Sequence, residues 1–396
     1  MLWDGRNATI GPYVEHRGCV YEAPELPPRL YRATRFPSGC RDYDSARGQF
    51  AAITGLFKRH ADLPDRESSL LAGFSISTWL SDRLPSAPTL IISGPEPELG
   101  IAVLRLLNCV CRHPLLLAEV TAGSFRSLPM QLPFTLLLHQ QELKPNLQRL
   151  VRASSYRGLQ LPGNRESVVD LCRPKAIFCG DETAVDSFGG SVIDISAAPS
   201  QLQSSALGER AQNDIARDFQ PRLLMYRLKN ASKIGDSPVD VSNFTTATGQ
   251  LARTLAACFP EDSELARDVV ALLRPQDDEA RGQRSREVQC VIVEILWSLT
   301  HLRKRREVMV GQLAQDVNAL LRSRGEPVTY SAEEIGWKLR GLNIRRHTNS
   351  AGRQVLLGRE TSQSIHRLAR AYRLPCAQRV EVGCPDCNQE KPVHSK

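Results

Sequence analysis

The sequence predicts an α/β protein in which a parallel sheet, covered by helices on both faces, precedes a helical segment and a smaller C-terminal module. Between positions 89 and 195, short and wholly apolar runs alternate with amphipathic helical patterns. Such alternation is typical of a parallel sheet that is buried on both faces. After position 287, three helical patterns precede two short strand patterns around a polar turn. This order is that of a winged helix-turn-helix.

Each element of the core follows from a local pattern. Helical spacing predicts helices between 46 and 85, and the apolar run Thr89–Ser93 predicts the first strand. A short helix is expected around Leu147–Val151, and a hairpin insertion within 165–174. The remaining strands are expected at 115–120, 134–138, 175–179 and 192–195.

The composition indicates an ordinary globular chain with two or three domains. The 396 residues are 41% hydrophobic and 24% charged. No run approaches the roughly 18 apolar residues of a membrane span, and the start lacks a secretory signal, so a cytoplasmic protein is expected. The predicted divisions are an irregular arm 1–45, an α/β core 46–200, a helical segment 201–273, a linker 274–286, a winged helix-turn-helix 287–374 and a flexible tail 375–396.

The positive charge is concentrated near the C-terminus. The chain has a net charge of +8, and the segment 303–379 holds 16 basic and 6 acidic residues, a balance of 16 − 6 = +10. The rest of the chain therefore carries 8 − 10 = −2. A nucleic-acid partner would accordingly bind the C-terminal module.

The turn after the first strand has the strand–loop–helix context of a P-loop without its key residues. The motif is G-x-x-x-x-G-K-[ST]. Counted from Gly94, with Pro95 next, the second glycine falls on Leu99, the lysine on Gly100 and the hydroxyl residue on Ile101. One inserted residue makes Gly100 the second glycine but leaves Ile101 in place of the lysine. The phosphate-binding ammonium is missing in both registers.

Three stretches resemble the P-loop ATPase domain of bacterial primase–helicase proteins from plasmids and integrated phages. They are 87–95 at the first strand, 134–140 at a second strand and 174–180 at a third. The resemblance spans 66–200, about a third of the chain. It implies a RecA- or AAA-like core, ATP as the ancestral ligand, and a nucleic-acid or mobile-element context.

The departures from that family oppose ATP hydrolysis by the usual route. Glu96 and Glu98 fall in the expected loop, where a carboxylate about 4 Å from a phosphate oxygen costs on the order of 4 kcal/mol. Leu99 would resist a positive φ by about 1–2 kcal/mol. The second strand ends in His139-Gln140 instead of the acidic pair that holds magnesium, and 186–191 contains no arginine. No cofactor is expected, and ATP with magnesium would bind only if the loop is functional.

The C-terminal module contains residues suited to DNA. The capping box Ser331–Glu334 predicts a third helix that starts at Ala332 and stops near Gly341. Arginine and lysine contact phosphates and guanine. The alternative is a protein-contact module whose arginines are solvated. The candidate DNA-binding residues are Lys338 and Arg340 on the helix, with Arg345, Arg346, His347 and Arg353 around the two strands.

The tail contains a weak zinc motif, and the other apolar cysteines are expected in the core. C-x₂-C with a third cysteine and a histidine is a pattern of zinc knuckles, although no metal site is predicted from it. The candidate ligands are Cys376, Cys384, Cys387 and His394.

Three functions remain open from the sequence. The first is a non-catalytic P-loop-fold protein that acts as a DNA-binding or replication-partner scaffold. Its partners would be duplex DNA and a replication or mobile-element protein or a second copy of the chain, with no membrane. The second is an active ATPase in which Lys144, Arg149 or Lys175 supplies the missing charge. The third is a transcriptional regulator whose N-terminal part binds a small molecule.

Overall fold

The computed structural model divides the chain into two compact units, Met1–Asp277 and Asp278–Lys396. It describes residues 2–5, 8–9, 11, 13–22, 25–128, 132–162, 168–180, 188, 191–197, 207–235, 239–350, 352–372 and 374. Among these residues, no helix is both long and apolar enough to cross a membrane.

The first unit begins with short elements where the sequence predicts an irregular arm. Strands β1 and β2 pair with each other, and β3 pairs with β4. Their bounds are β1 Leu2–Trp3, β2 Ala8–Thr9, β3 Tyr13–His16, β4 Cys19–Glu22 and helix α1 Pro28–Ala33.

The core of the first unit alternates between helices and strands, as the sequence predicts. Its elements are α2 Ala46–Ala61, α3 Asp65–Leu80, β5 Thr89–Ser93, α4 Pro97–Val110, β6 Pro114–Ala118, α5 Ala122–Arg126, β7 Thr135–Gln140, α6 Pro145–Ala153, β8 Gln160–Pro162, β9 Val168–Asp170, β10 Lys175–Cys179 and β11 Ile193–Ser196. The antiparallel pair β8–β9 is the expected hairpin insertion, displaced by a few residues.

Five of these strands form one parallel sheet in the order β11-β5-β10-β7-β6. The parallel sheet covered by helices on both faces that the sequence predicts is therefore present. Strand β5 is buried along its whole length. Leu90 and Ile92 pack into the cluster that contains α3 and α4, whereas Ile91 packs into the cluster that contains α6, because successive side chains point to opposite faces.

Helices complete the first unit after the sheet. They are α7 Glu209–Asn230, α8 Thr246–Ala256, α9 Ser263–Ala271 and α10 Arg274–Arg286. Where a linker is predicted at 274–286, the structure has α10, and the boundary between the units falls inside this helix. The polar composition misleads because Gln276 and Asp277 are buried anchors: the amide of Gln276 donates to the carbonyl of Val192, and the carboxylate of Asp277 accepts from Thr245.

The second unit has the predicted order of elements with one additional strand. Strands β12, β14 and β13 form an antiparallel sheet in that order, and β12 has no counterpart in the sequence-based prediction. The elements are α11 Val288–His301, β12 Glu307–Met309, α12 Val310–Ser323, α13 Ala332–Gly341, β13 His347–Asn349, β14 Gly352–Leu356 and α14 Arg359–Ala371.

Two local contacts fix the start of α13. The capping box is confirmed: the Ser331 hydroxyl accepts from the Glu334 amide, and the Glu334 carboxylate accepts from the Ser331 amide. The Asn318 side chain on α12 both donates to and accepts from the backbone of Tyr330, each at 2.8 Å. These bonds satisfy polar groups in the connection between the two helices.

Candidate functional site

The turn that follows β5 lies where parallel α/β sheets bind ligands. Strand β5 sits between β11 and β10, and the chain places β6, β7 and β10 on one side of it and β11 on the other. The carboxyl end of such a strand, where the direction of winding reverses, is the usual ligand crevice. The residues expected to form a nucleotide loop therefore lie at the carboxyl edge of the sheet, where a ligand would bind.

The connection itself is too short for a P-loop. Only 94–96 separate β5 from α4, because Pro97 is already the first residue of the helix. Glu98, Leu99, Gly100 and Ile101, which we expected in the loop, lie in the first turns of α4. The expected strain at Leu99 is also wrong: its φ is not positive, and its side chain is 4% exposed inside the core.

Both glycines of the turn serve packing. A methyl group added to Gly94 would overlap the carbonyl oxygen of Ala197, whose amide donates to the carbonyl of Ser93 at 2.7 Å. A methyl group added to Gly100 would overlap the ring of Phe178 on β10. The space beside the start of α4 is therefore filled by the protein's own atoms.

The N-terminus of α4 already carries negative charge. Glu96 is the N-cap residue, Glu98 lies in the first turn, and both are exposed. Carboxylates at this end of a helix interact favourably with its dipole, in the position that a phosphate takes in P-loop proteins. A polyphosphate approaching the turn would meet two like charges.

The end of β7 lacks the carboxylates that hold magnesium. His139 is half-buried and stacks on Phe178, with 5.2 Å between ring centroids, and its Nε2 has no hydrogen-bond partner in the described part of the chain. Gln140 is 2% exposed. No cluster of three or more potential metal ligands occurs among the described residues.

Lys175 lies at the wrong edge of the sheet to bind a phosphate at this turn. It begins β10 and pairs in register with Thr89 at the start of β5. At about 3.3 Å per residue, it is about 13 Å from the opposite end of the strand. Its Nζ donates to the hydroxyls of Thr89 and Ser155 at 3.0 and 3.1 Å. Burial lowers its pKa to about 7, against a smaller opposing effect of Cys172.

The other two basic candidates lie on α6. Lys144 is the exposed N-cap residue of that helix, directly beyond the end of β7, and Arg149 is exposed further along it. Of the three alternative cations for an active ATPase, Lys144 and Arg149 lie on the helix that follows this edge of the sheet.

In the second unit, the predicted DNA-binding residues lie on α13 and the β13–β14 hairpin. Lys338 is half-buried and Arg340 exposed on α13, while Arg345, His347 and Arg353 are exposed on or beside the hairpin. Arg346 lies against α13: a Cβ added to Gly336 would be 2.5 Å from its guanidinium nitrogen. The fold thus places all six residues on one helix and the adjoining hairpin.

Sequence reasoning missed an exposed tryptophan and a buried histidine pair. Trp337 on α13 is 61% exposed. Helical spacing from Ile335 and Leu339 was sufficient to place Trp337 outward, since it lies between these two buried positions. By contrast, nothing in the sequence pairs His301 with His366, whose Nε2 atoms are 3.0 Å apart between α11 and α14.

The cysteines divide as predicted where they are described. Cys109, Cys111, Cys179, Cys258 and Cys290 are buried, and Cys172 is half-buried. The candidate zinc ligands Cys376, Cys384, Cys387 and His394 lie outside the described residues, as does the flexible tail predicted at 375–396.

We predict that Gly100→Ala destabilises the first unit. The added methyl group must displace the Phe178 ring, and overpacking of this kind costs about 1–3 kcal/mol. Gly55→Ala in α2 is the matched control, because a methyl group added there would have no atom within 4 Å and should gain about 0.5–1 kcal/mol. Urea denaturation measures the free energy of unfolding of both variants. A neutral Gly100→Ala would contradict the packing role.

We predict that Lys175→Met raises stability at pH 7 and removes a pH dependence. The folded pKa of about 7 lies below the unfolded value of about 10.4, so the unfolded chain holds more protons in between and wild-type stability rises with pH across this window. The variant should be more stable by at most about 3–5 kcal/mol near pH 7 and converge with wild type near pH 10. Thr89 and Ser155 remain bonded to each other at 2.8 Å.

Denaturation at several pH values measures this difference. Lys144→Met serves as the control, because Lys144 is exposed and its replacement should leave the slope unchanged. If the stability of Lys175→Met rose with pH by as much as that of the wild type, Lys175 would not be the group that titrates, and it would stay protonated in the folded protein.

No family model matches the chain, and no curated protein matches it. Solved structures align over most of its length with little similarity. The A-form apo structure of the NrS-1 C-terminal region is 10% identical, with a TM-score of 0.36, covering 88% of this chain and 83% of that one. The structure of Drosophila ORC bound to DNA is 13% identical, with a TM-score of 0.20, covering 88% of this chain and 96% of that one. Cdc6p from Pyrobaculum aerophilum is 12% identical, with a TM-score of 0.23, covering 78% of this chain and 93% of that one. Similarities this low carry no statement about activity.

Proposed function

We propose that this protein is a DNA-binding scaffold: a P-loop-fold unit that does not hydrolyse ATP, joined to a winged helix that binds duplex DNA through its phosphates. The observation that supports it best is a group of uncompensated basic side chains on α13 and the neighbouring hairpin. The contracted turn after β5 supports the non-catalytic half.

The order of elements supports a winged helix in the second unit. Helices α12 and α13 form the helix-turn-helix, and β13–β14 form the wing beside α13. In helix-turn-helix proteins, the second helix lies in the major groove and its N-terminal residues contact base edges. Helix α13 presents Glu333, Trp337 and Arg340 to solvent at spacings of four and three residues.

The basic side chains near α13 are available for phosphates. Within the part of the chain that the structure describes, none of Lys338, Arg340, Arg345, Arg346 and Arg353 forms an ion pair within 4.0 Å. Glu334 lies one turn before Lys338 and is bonded to Ser331 at 2.8 Å; these bonds and, to a lesser extent, the charge of Lys338 lower the pKa of its carboxyl. Unpaired arginine and lysine release counterions from DNA when they bind, which is the main source of affinity for phosphates.

The first unit supports a structural role for the sheet. Phe178 occupies the space beside Gly100, Ala197 closes on Gly94, and two carboxylates occupy the N-terminus of α4. The two carboxylates oppose a phosphate by charge, and the close packing around both glycines supports a structural role for the turn. The unit keeps the architecture of a nucleotide-binding core and uses it to hold a partner or a second copy of the chain.

Calorimetry with ATP and ADP, with and without magnesium, tests the non-catalytic half. We expect no heat of binding at millimolar nucleotide, because residues 94–96 include no cation and the start of α4 carries two carboxylates. Micromolar binding, or magnesium-dependent phosphate release that is lost in Lys144→Met or Arg149→Met, would instead establish the unconventional ATPase.

Salt-dependent binding to a DNA duplex tests the other half. The slope of log K against log salt should be about −0.9 per phosphate contact. Arg340→Gln and Arg353→Gln should each weaken binding to every sequence and reduce the slope by about one contact. Arg217→Gln is the control, since Arg217 is 76% exposed in the first unit. Absent or salt-insensitive binding would exclude the DNA-binding role.

A further inference from the structure

A cleft opens at the carboxyl edge of the sheet, away from the turn after β5. Its volume is about 510 Å³, and it lies beyond the ends of β6 and β7, between the starts of α5 and α6. Pockets of this size bind small molecules in proteins. Nothing in the DNA-binding function uses this cleft.

The side chain of Gln140 points toward the cleft. Successive residues of β7 alternate between the two faces of the sheet. Leu136 and Leu138 pack with Leu147 of α6, and Gln140 shares their face. His139, one residue earlier, faces the opposite side and stacks on Phe178. Leu147 and Gln140 both line the cleft.

Gln140, which lines the cleft, carries an unpaired buried donor. The residue is 2% exposed, and its Nε2 has no hydrogen-bond partner among the described residues. Buried polar groups in folded proteins nearly always have partners. An orphaned amide beside a cavity therefore points to a bound acceptor atom that completes it.

The walls and the rim of the cleft restrict the ligand further. Val120 and Leu147 are buried apolar residues of the wall. The rim carries Glu119, Glu142 and Lys144, all exposed, for a net charge of −1. The Glu119 carboxylate is held in place by the backbone amide of Gln141 at 3.0 Å. The cleft thus has a donor at its base, an apolar middle and an acidic mouth.

We propose that this cleft binds a small cationic molecule whose inner end carries a carbonyl or hydroxyl oxygen. The oxygen would accept from the Gln140 amide, the carbon chain would contact Val120 and Leu147, and the ammonium would lie between the carboxylates of Glu119 and Glu142. A phosphorylated or anionic ligand is disfavoured, because the two carboxylates outnumber the single ammonium of Lys144.

N-acetylputrescine is a suitable probe, because it places an amide oxygen and an ammonium at opposite ends of a short chain. Calorimetry with the intact protein should give saturable binding with a Kd of about 1 mM or below. N-butylacetamide lacks the cation and pentylamine lacks the acceptor, so each should bind about tenfold more weakly. Equal binding of all three, or no binding of any, would overturn the proposal.

Substitutions separate the two ends of the ligand. Gln140→Leu should weaken N-acetylputrescine binding about tenfold or more, and it should raise the Tm of the empty protein because it removes an orphaned donor. His139→Leu is the matched control: it also removes an unpaired buried nitrogen, but on the other face, and should leave binding unchanged. A lower Tm for Gln140→Leu would show that the amide has a partner within the protein.

Glu142→Gln tests the mouth without touching the core, because Glu142 is exposed. It should weaken the cationic probe and leave N-butylacetamide unaffected. Weaker binding of both probes would show that Glu142 maintains the shape of the cleft and does not bind the ammonium, which would contradict a cationic ligand. The outcome is independent of DNA binding, which the same variants should retain.

Discussion

The close contact between Phe178 and Gly100 determines much of the first unit. Helix α4 can pack onto the sheet at this distance only because position 100 has no side chain beyond hydrogen. The same ring stacks on His139, so one aromatic side chain fixes the start of α4 against the ends of β10 and β7. The packing of α4 on the sheet and the shape of the turn before it therefore depend on the same contact.

The two units divide the chemistry between them. In the first unit, the exposed carboxylates of Glu96 and Glu98 lie at the edge of the sheet where a P-loop protein binds phosphate. The second unit leaves several arginines unpaired around α13, within the described part of the chain. The two units thus differ in the charges they expose: carboxylates at the turn after β5 in the first, and arginines near α13 in the second. This separation supports a scaffold more strongly than either unit does alone.

The sequence was sufficient to predict the sheet because its strands are buried on both faces, so that Thr89–Ser93 and Lys175–Cys179 read as continuous apolar runs. The capping box at Ser331 was equally readable, since capping is local. The unit boundary does fall within 274–286, but the helical conformation of this stretch was not predicted, because polarity alone does not show that Gln276 and Asp277 bond to distant backbone and side-chain groups. Lys175 was considered as a phosphate ligand although it is the first residue of β10, which places it at the amino end of the sheet, opposite the turn after β5. The orphaned amide of Gln140 depends on tertiary packing, which no spacing in the sequence encodes.

The three-residue connection between β5 and α4 also constrains how this protein can evolve. A working P-loop would require inserted residues, a lysine at a position now inside a helix, and removal of the contacts made by Phe178 and Ala197. Each intermediate would lose packing before it gained affinity for a nucleotide. A P-loop at this turn could therefore not arise through single substitutions alone, because the connection between β5 and α4 would also have to lengthen.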